Sequence, residues 1–220
     1  STTGDGDGDG DPSTTGDGDG DGDGDPSTTG DGDGDGDGDP STTGDGDGDG
    51  DGCPGDGTQV WLNEFHYDND GADLGEFVEL AGVAGVDLSC WSLTFYNGNG
   101  GASYGTGTFG AGTLMPDEGN GYGASALDYT GIQNGGSDGI ALVFDGVTVV
   151  EFISYEGALT AVDGPASGLT STDVGVTETA NTAAGFSLQR IGTGSAVTDF
   201  TWVGPEPASP GLINSAQTIP

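Results

Sequence analysis

Residues 139–155 read GIALVFDGVTVVEFISY. Two apolar runs, 140–144 and 147–155, flank Asp145-Gly146. An Asp-Gly pair between two such runs signals a two-residue β-hairpin, because both turn positions need positive φ. The same grammar extends outward. Strands are expected at 59–67, 75–80, 90–97, 186–191 and 199–203, separated by turn clusters such as Asn97-Gly98-Asn99-Gly100-Gly101. No segment shows a convincing apolar stripe at helical spacing. Seven or more short strands with turn residues between them predict an all-β fold, a β-sandwich. Its expected core aromatics are Trp61, Phe65, Phe77, Trp91, Phe95, Phe144, Phe152, Phe186 and Trp202.

Charge narrows the function. The chain has 220 residues with 38 Asp plus Glu, one His and a single cation, Arg190, for a formal net charge of −37. Gripping a phosphate backbone takes clustered Lys and Arg, so nucleic acid is excluded as a partner. An anionic membrane surface repels such a chain, and no apolar run reaches the length of a membrane span. Schiff-base chemistry and a Walker-type loop both need a Lys. The small partner that this composition attracts is a cation. No signal-peptide pattern opens the chain, which therefore reads as a mature or trimmed form.

Before the strands lies an internal repeat. Residues 13–26 read STTGDGDGDGDGDP, and residues 27–40 repeat them letter for letter. Residues 1–12 are the same unit short of one Gly-Asp pair, and in residues 41–54 Cys53 stands where the last Asp would be. The carboxylates are Asp5, Asp7, Asp9 and Asp11; Asp17, Asp19, Asp21, Asp23 and Asp25; Asp31, Asp33, Asp35, Asp37 and Asp39; and Asp45, Asp47, Asp49 and Asp51. These are 18 acids without a base, so the first 52 residues carry −18 and the remaining 168 carry −19. Such a composition forbids a hydrophobic core. Alternate carboxylates stand about 7 Å apart in an extended chain, inside a Debye length of roughly 8 Å. Their repulsion is incompletely screened, and a divalent cation relieves it. Calcium takes carboxylate and backbone carbonyl oxygens, and glycine lets the chain turn to present both.

The run Asp-x-Asp-x-Asp-Gly resembles the first half of the calcium loops of EF-hands, dockerin modules and thrombospondin repeats. With Asp19, Asp21 and Asp23 at its first, third and fifth positions, Gly24, Asp25 and Ser27 fall at the sixth, seventh and ninth. Gly30 stands where the bidentate Glu would be, with Asp31 next to it, and no helices flank the run. The resemblance implies calcium binding without an EF-hand; the alternative is a solvated acidic spacer. The hydroxyls of Thr14, Thr15, Thr28, Thr29, Thr42 and Thr43 follow prolines and are candidate O-glycan positions or polar hinges.

Two cysteines in an acidic, Lys-free chain suit an oxidising, extracellular setting. A Cys53–Cys90 bond would clamp the repeat arm, residues 1–54, to the domain, residues 55–220. Closing that loop is worth roughly 4 kcal/mol in the chain-entropy model. A bond between chains, or two free thiols, are the alternatives.

The stretches VWLNEFHYDNDGADLGEFVEL, DLSCWSLTFYNGNGG, GIQNGGSDGIALVF, GFSLQRIGTG and TWVGPEPASPGLINSAQT resemble a bacterial lamin-tail domain over residues 58–219. Asn63-Glu64-Phe65 and Ser209-Pro210-Gly211 are its most recognisable pieces. The resemblance implies an immunoglobulin-like sandwich on a secreted or surface protein, used for interaction or attachment and not for catalysis. Cys90 departs from the small residue expected before Trp91, which suits a bond particular to this chain.

Candidate chemistry in the domain is sparse. Gly135-Gly136-Ser137-Asp138-Gly139 matches G-x-S-x-G, but a strand is expected after it where a nucleophile elbow needs a helix. It reads as a glycine-rich turn. His66 reads as a strand residue near a loop, and one His with two cysteines makes no zinc site. Asp68, Asp70, Asp73 and Glu76, with Asn69 and Gly71, form the one acid cluster expected to wrap a calcium ion; the alternative is an Asx-turn loop. Asp163, Asp173 and Glu178 are weaker ligand candidates, and Arg190 is expected to pair with a carboxylate.

These readings favour a non-enzymatic extracellular structural protein, with calcium ordering an acidic arm that contacts other copies of the chain in a surface fibre. A ligand-binding or adhesive module on a flexible spacer, and an accessory domain of a secreted hydrolase, are the alternatives.

Overall fold

A computed structural model describes residues 53–220. Eleven strands are described: β1 (Val60–His66), β2 (Phe77–Val83), β3 (Trp91–Tyr96), β4 (Ser103–Thr108), β5 (Tyr122–Asp128), β6 (Gly139–Phe144), β7 (Thr148–Ser154), β8 (Thr172–Asp173), β9 (Phe186–Thr193), β10 (Phe200–Pro207) and β11 (Gln217–Thr218). One sheet runs β10-β9-β1-β2-β5, with β11 added parallel to β9; the other runs β4-β3-β6-β7-β8. The fold is an all-β sandwich. Its only helical turns among the described residues are 3-10 turns at Leu88–Cys90 and Val197–Asp199.

The 139–155 stretch forms a hairpin, β6 turning into β7 with Asp145 at φ 51° and Gly146 at φ 70°; Phe144 pairs with Thr148, so Val147 joins the turn and the connection has three residues where two were expected. Strands expected at 59–67, 90–97 and 199–203 are present with shifted ends. Cys90 belongs to the 3-10 turn before β3, and β10 runs on to Pro207. The strand expected at 75–80 lies instead at Phe77–Val83, because Gly75 takes a left-handed φ of 75° and belongs to the preceding turn. Strands β4 and β5 are additions. Glycine and serine dilute their apolar signal, and packing requires those small residues. A Cβ on Gly105 would collide with the Tyr129 hydroxyl, and one on Gly107 with Leu127.

Apolar residues from both sheets, including Phe65, Leu80, Leu93, Phe95, Ile140, Leu142 and Leu188, fill the space between them. Both outer faces are also covered. Tyr96, Ala141 and Val143 meet Leu159, Ala161 and Ala166 from the segment after β7. Trp61, Ala81 and Ala124 meet Phe200 and Ile219. This explains why β6 is apolar at six consecutive positions and buried at every one: it has no solvent face to alternate towards. Of the expected core aromatics, Phe152, Phe186 and Trp202 are only half-buried, whereas Tyr67, Tyr96 and Tyr155 are fully buried with bonded hydroxyls.

Strand β1 carries the same lesson for polar side chains. All seven of its residues are buried, Asn63, Glu64 and His66 included. The C-terminal segment covers them and is held by carboxyl groups. Glu64 accepts from the Ser187 hydroxyl and from the backbone N–H and hydroxyl of Ser209. Glu79 accepts from Asn63 Nδ2 at 3.0 Å and Gly211 N–H at 2.7 Å. Glu118 accepts from the Ala124 and Ile213 N–H groups. Asn63-Glu64 and Ser209-Gly211, far apart in sequence, are thus bonded into one buried network.

The single arginine works between the sheets. Arg190 on β9 pairs with Glu151 on β7, donates to the Val197 carbonyl and lies 4.9 Å over the Trp202 ring. The other Glu151 oxygen accepts the Leu62 N–H of β1 at 2.7 Å. Cys53 and Cys90 are disulfide-bonded with Cα atoms 5.5 Å apart. Next to that bond, the Gly57 carbonyl accepts the Trp91 indole N–H, and Gly57 has no room for a Cβ against Phe144.

Two outcomes follow. Arg190→Met leaves a buried Glu151 without its cation and is expected to cost about 3–5 kcal/mol. Adding Glu151→Gln, which still accepts from Leu62, restores most of the loss; denaturant unfolding that finds the double variant no more stable than the single one refutes the pairing. Glu79 gives a pH signature. Burial pushes its carboxyl from 4.5 up to about 8, against the opposing bonds from Asn63 and Gly211. Between those two pH values the folded chain holds a proton that the unfolded chain has released. Stability therefore falls as pH rises through this window, by at most about 1.4 kcal/mol per pH unit for one group. The difference in stability between wild type and Glu79→Gln, measured against pH, should show that slope and level off above pH 8.

Candidate functional site

One end of the sandwich gathers the loops that leave β1, β3, β5 and β7, and most of the domain's candidate residues lie there. Its anchor is a buried pair. His66, the last residue of β1, sets Nδ1 2.8 Å from Glu178 Oε1, with the two side chains 2 % and 0 % exposed. The other Glu178 oxygen accepts the N–H groups of Tyr67 and Asp68 at 2.7 and 3.0 Å. Tyr67 returns the contact, its hydroxyl accepting the Glu178 N–H at 2.8 Å and its ring stacking on Tyr155 at 4.0 Å.

The hydrogen bonds also fix the state of His66. Asn69 donates from Nδ2 to the Asp70 and Ala72 carbonyls, so its Oδ1 faces Leu74 N–H and His66 Nε2. Both imidazole nitrogens therefore face acceptors, which suits the doubly protonated ring. Burial alone would lower its pKa. The bond and charge of Glu178, helped by Asn69, outweigh burial and raise it above 6.5.

The same Asn69 amide explains the loop expected to wrap calcium. Residues 70–74 fold around a neutral side chain that bonds three of their backbone groups. Asp68 and Asp73 are brought together beside Asn134, whose Nδ2 donates to Asp73 at 3.2 Å. Burial, then the Asp73 carboxyl, raises the pKa of Asp68. Asp70 is exposed at the loop tip. Glu76 turns to the β5–β6 loop, one oxygen accepting Gly131 N–H and the other buried without a partner among the described residues. Asp163 and Asp173 accept N–H groups of Ser103 and Gly175. Among the described residues, no three His, Cys, Asp or Glu side chains converge as a metal requires. The arm carboxylates, residues 5–51, and Thr14, Thr15, Thr28, Thr29, Thr42 and Thr43 lie outside the described residues.

Ser137, in the G-x-S-x-G run, is half-buried in a turn at φ 69° that leads directly into β6. The working residue of that turn is its neighbour, Asp138. It is 2 % exposed and binds Gly98 N–H at 2.8 Å and Gly135 N–H at 2.9 Å, which ties the β3–β4 loop to the β5–β6 loop. Sequence reasoning passed over Asp138 and ranked Glu178 low. The only signal for Asp138 was an acid set among glycines, whose backbone N–H groups lie open to a carboxylate.

The chain matches no known family model, no curated protein and no solved structure.

Glu178→Gln tests the anchor. With the carboxylate gone, burial acts on His66 opposed mainly by the Asn69 bond, and its pKa, followed by NMR, should fall from its wild-type value. In the wild type the raised value makes the pair's contribution full below pH 6.5 and lost as pH rises through the folded pKa. A His66 titration that is unchanged in Glu178→Gln refutes the ion pair.

Proposed function

We propose that the chain is a non-enzymatic, extracellular structural protein, a subunit of a calcium-stabilised surface filament. Its sandwich is immunoglobulin-like and of the lamin-tail kind, and its acidic arm contacts neighbouring copies. The observation that carries this reading is the Cys53–Cys90 bond. Cys53 occupies the register of the last carboxylate of a repeat unit, so the bond fastens the Asp-Gly array to the folded domain at the unit boundary. A covalent fastening suits an arm that bears load or must stay joined in an oxidising medium. The lamin-tail reading draws support from the buried network that joins Asn63 and Glu64 to Ser209 and Gly211. The segments that carry the resemblance hold each other.

Calcium supplies what the charge demands. An arm of −18 and a domain of −19 repel one another and their copies, and hard divalent ions bridged by carboxylates and glycine carbonyls remove that repulsion. A second reading, a ligand-binding module with the repeat as spacer, is favoured by the ordered loop end.

Calorimetry and electron microscopy on the full chain test the filament reading. Calcium should bind with a stoichiometry that falls when Asp31, Asp33 and Asp35 are changed to Asn, and EGTA should loosen the assemblies. Particles indifferent to EGTA and to low salt would remove calcium from the proposal, and a monodisperse monomer at all calcium concentrations would remove the filament.

A further inference from the structure

The loop end also holds a pocket for which the filament reading has no use. The β3–β4 and β5–β6 loops enclose a shallow cavity of about 320 Å³, at the small end of the range for ligand sites. Its lining is almost wholly amide: Asn97, Asn99, Gln133 and Asn134, with glycine backbone between them and Asp138 at the base. It is built before any ligand arrives. Asp138 holds both loops through backbone N–H groups, and the loops touch so closely that a Cβ on Gly98 would stand 2.5 Å from the Gly136 carbonyl oxygen. Ser137 and Glu156 hold left-handed φ of 69° and 62° alongside, linked by the Ser137 hydroxyl. Strain of this kind persists only where surrounding contacts fix it.

The amides are not spent on the fold. The side chains of Asn99 and Gln133 make no hydrogen bond among the described residues. Asn97 uses only Oδ1, which accepts Asn99 N–H at 2.7 Å, and Asn134 uses only Nδ2. The pocket thus offers uncharged donors and acceptors in mixture, carried on loops that Asp138 holds together.

That mixture selects a ligand class. Phosphate, sulfate and carboxylate ligands meet Asp138, Asp73 and a chain of −37 with no lysine to receive them. A bare cation finds no free carboxylate here, since both Asp138 oxygens are already engaged by the backbone, and it leaves the amide N–H groups without acceptors. An apolar ligand leaves the amides without partners, which costs binding energy. Sugar hydroxyls each donate and accept, which pairs them with side-chain amides. We propose that this pocket binds a neutral saccharide, one or two sugar units in size. The proposal does not depend on the filament or on calcium.

The test is an NMR titration of the ¹⁵N-labelled full chain, with glucose, galactose, mannose, N-acetylglucosamine, maltose and lactose as probes. At least one sugar should produce saturable shifts of backbone amides at residues 98–101 and 135–137, unchanged by EGTA. Asn99→Ala and Gln133→Ala, neither of which removes a hydrogen bond among the described residues, should each weaken that sugar roughly tenfold, the worth of about one hydrogen bond. Val147→Thr, in the turn at the far end of β6, should leave it unchanged. The proposal is overturned if all six sugars fail to give saturable shifts, if the shifts lie elsewhere, or if both alanine variants bind as wild type. Tighter saturation of the same amides by N-acetylglycinamide than by any sugar also overturns it, in favour of a peptide.

Discussion

A buried carboxyl group in a protein with one arginine has to find its partner among N–H and O–H donors. That constraint organises this domain. The arginine is committed to Glu151. Glu64, Glu79 and Asp138 are held by backbone N–H groups, amides and hydroxyls, and Glu178 by two N–H groups and the chain's one histidine; the exposed Glu118 binds backbone N–H groups in the same way. Hydrogen bonds to a charged acceptor are worth roughly 1.5–3 kcal/mol each, and a buried carboxylate left unpaired costs more than that. Each acid therefore acts as a staple whose reach is set by the sequence distance to its donor. Glu64 and Glu79 hold residues 209–211, Glu118 holds Ile213, and Glu178 closes its own segment onto the end of β1. Segments that would hang as loops from a smaller sandwich are drawn onto its faces.

Covering both faces changes what the strands must look like. A two-sheet sandwich normally shows water one side of each strand, and alternation follows. Here β6 is apolar throughout, and β1 buries its polar positions by bonding them. The hydrophobic effect and the polar staples are not separate contributions. The C-terminal segment brings Ile219 onto Trp61 only because Ser209, Gly211 and Ile213 are fixed by carboxyl groups along the way.

Legibility in the sequence followed from this. Asp145-Gly146 announced its hairpin because turn geometry is local, and Cys53 and Cys90 could be paired because there were only two. Strands β4 and β5 were hidden, since the β4 glycines, Gly105 and Gly107, make room for Tyr129 and Leu127, and the β5 glycine, Gly123, for the Pro116 carbonyl. The burial of the polar residues of β1 was not legible, because nothing local tells a bonded, buried Glu64 from an exposed one. The 68–76 loop has the spacing of a chain wrapped around a central group, and in the fold residues 70–74 curve around the amide of Asn69, a partner that the spacing did not name. Spacing encodes the curvature of a loop and leaves the identity of what fills it to the fold.

The same reasoning separates the two halves of the charge. In the domain, acids are spent one at a time on specific donors, so its fold needs no counterion at those positions. The repeat has no cationic side chain, and within each Asp-Gly run its carboxylates recur every second residue, inside one Debye length of each other. No single staple discharges an array of that kind. It calls for many mobile cations or for a few that each accept several oxygens, and the second arrangement is the one that converts charge into structure. The Cys53–Cys90 bond sits where these two regimes meet. It pins residue 53, where the array ends, to the turn before β3 whatever the charge on either side.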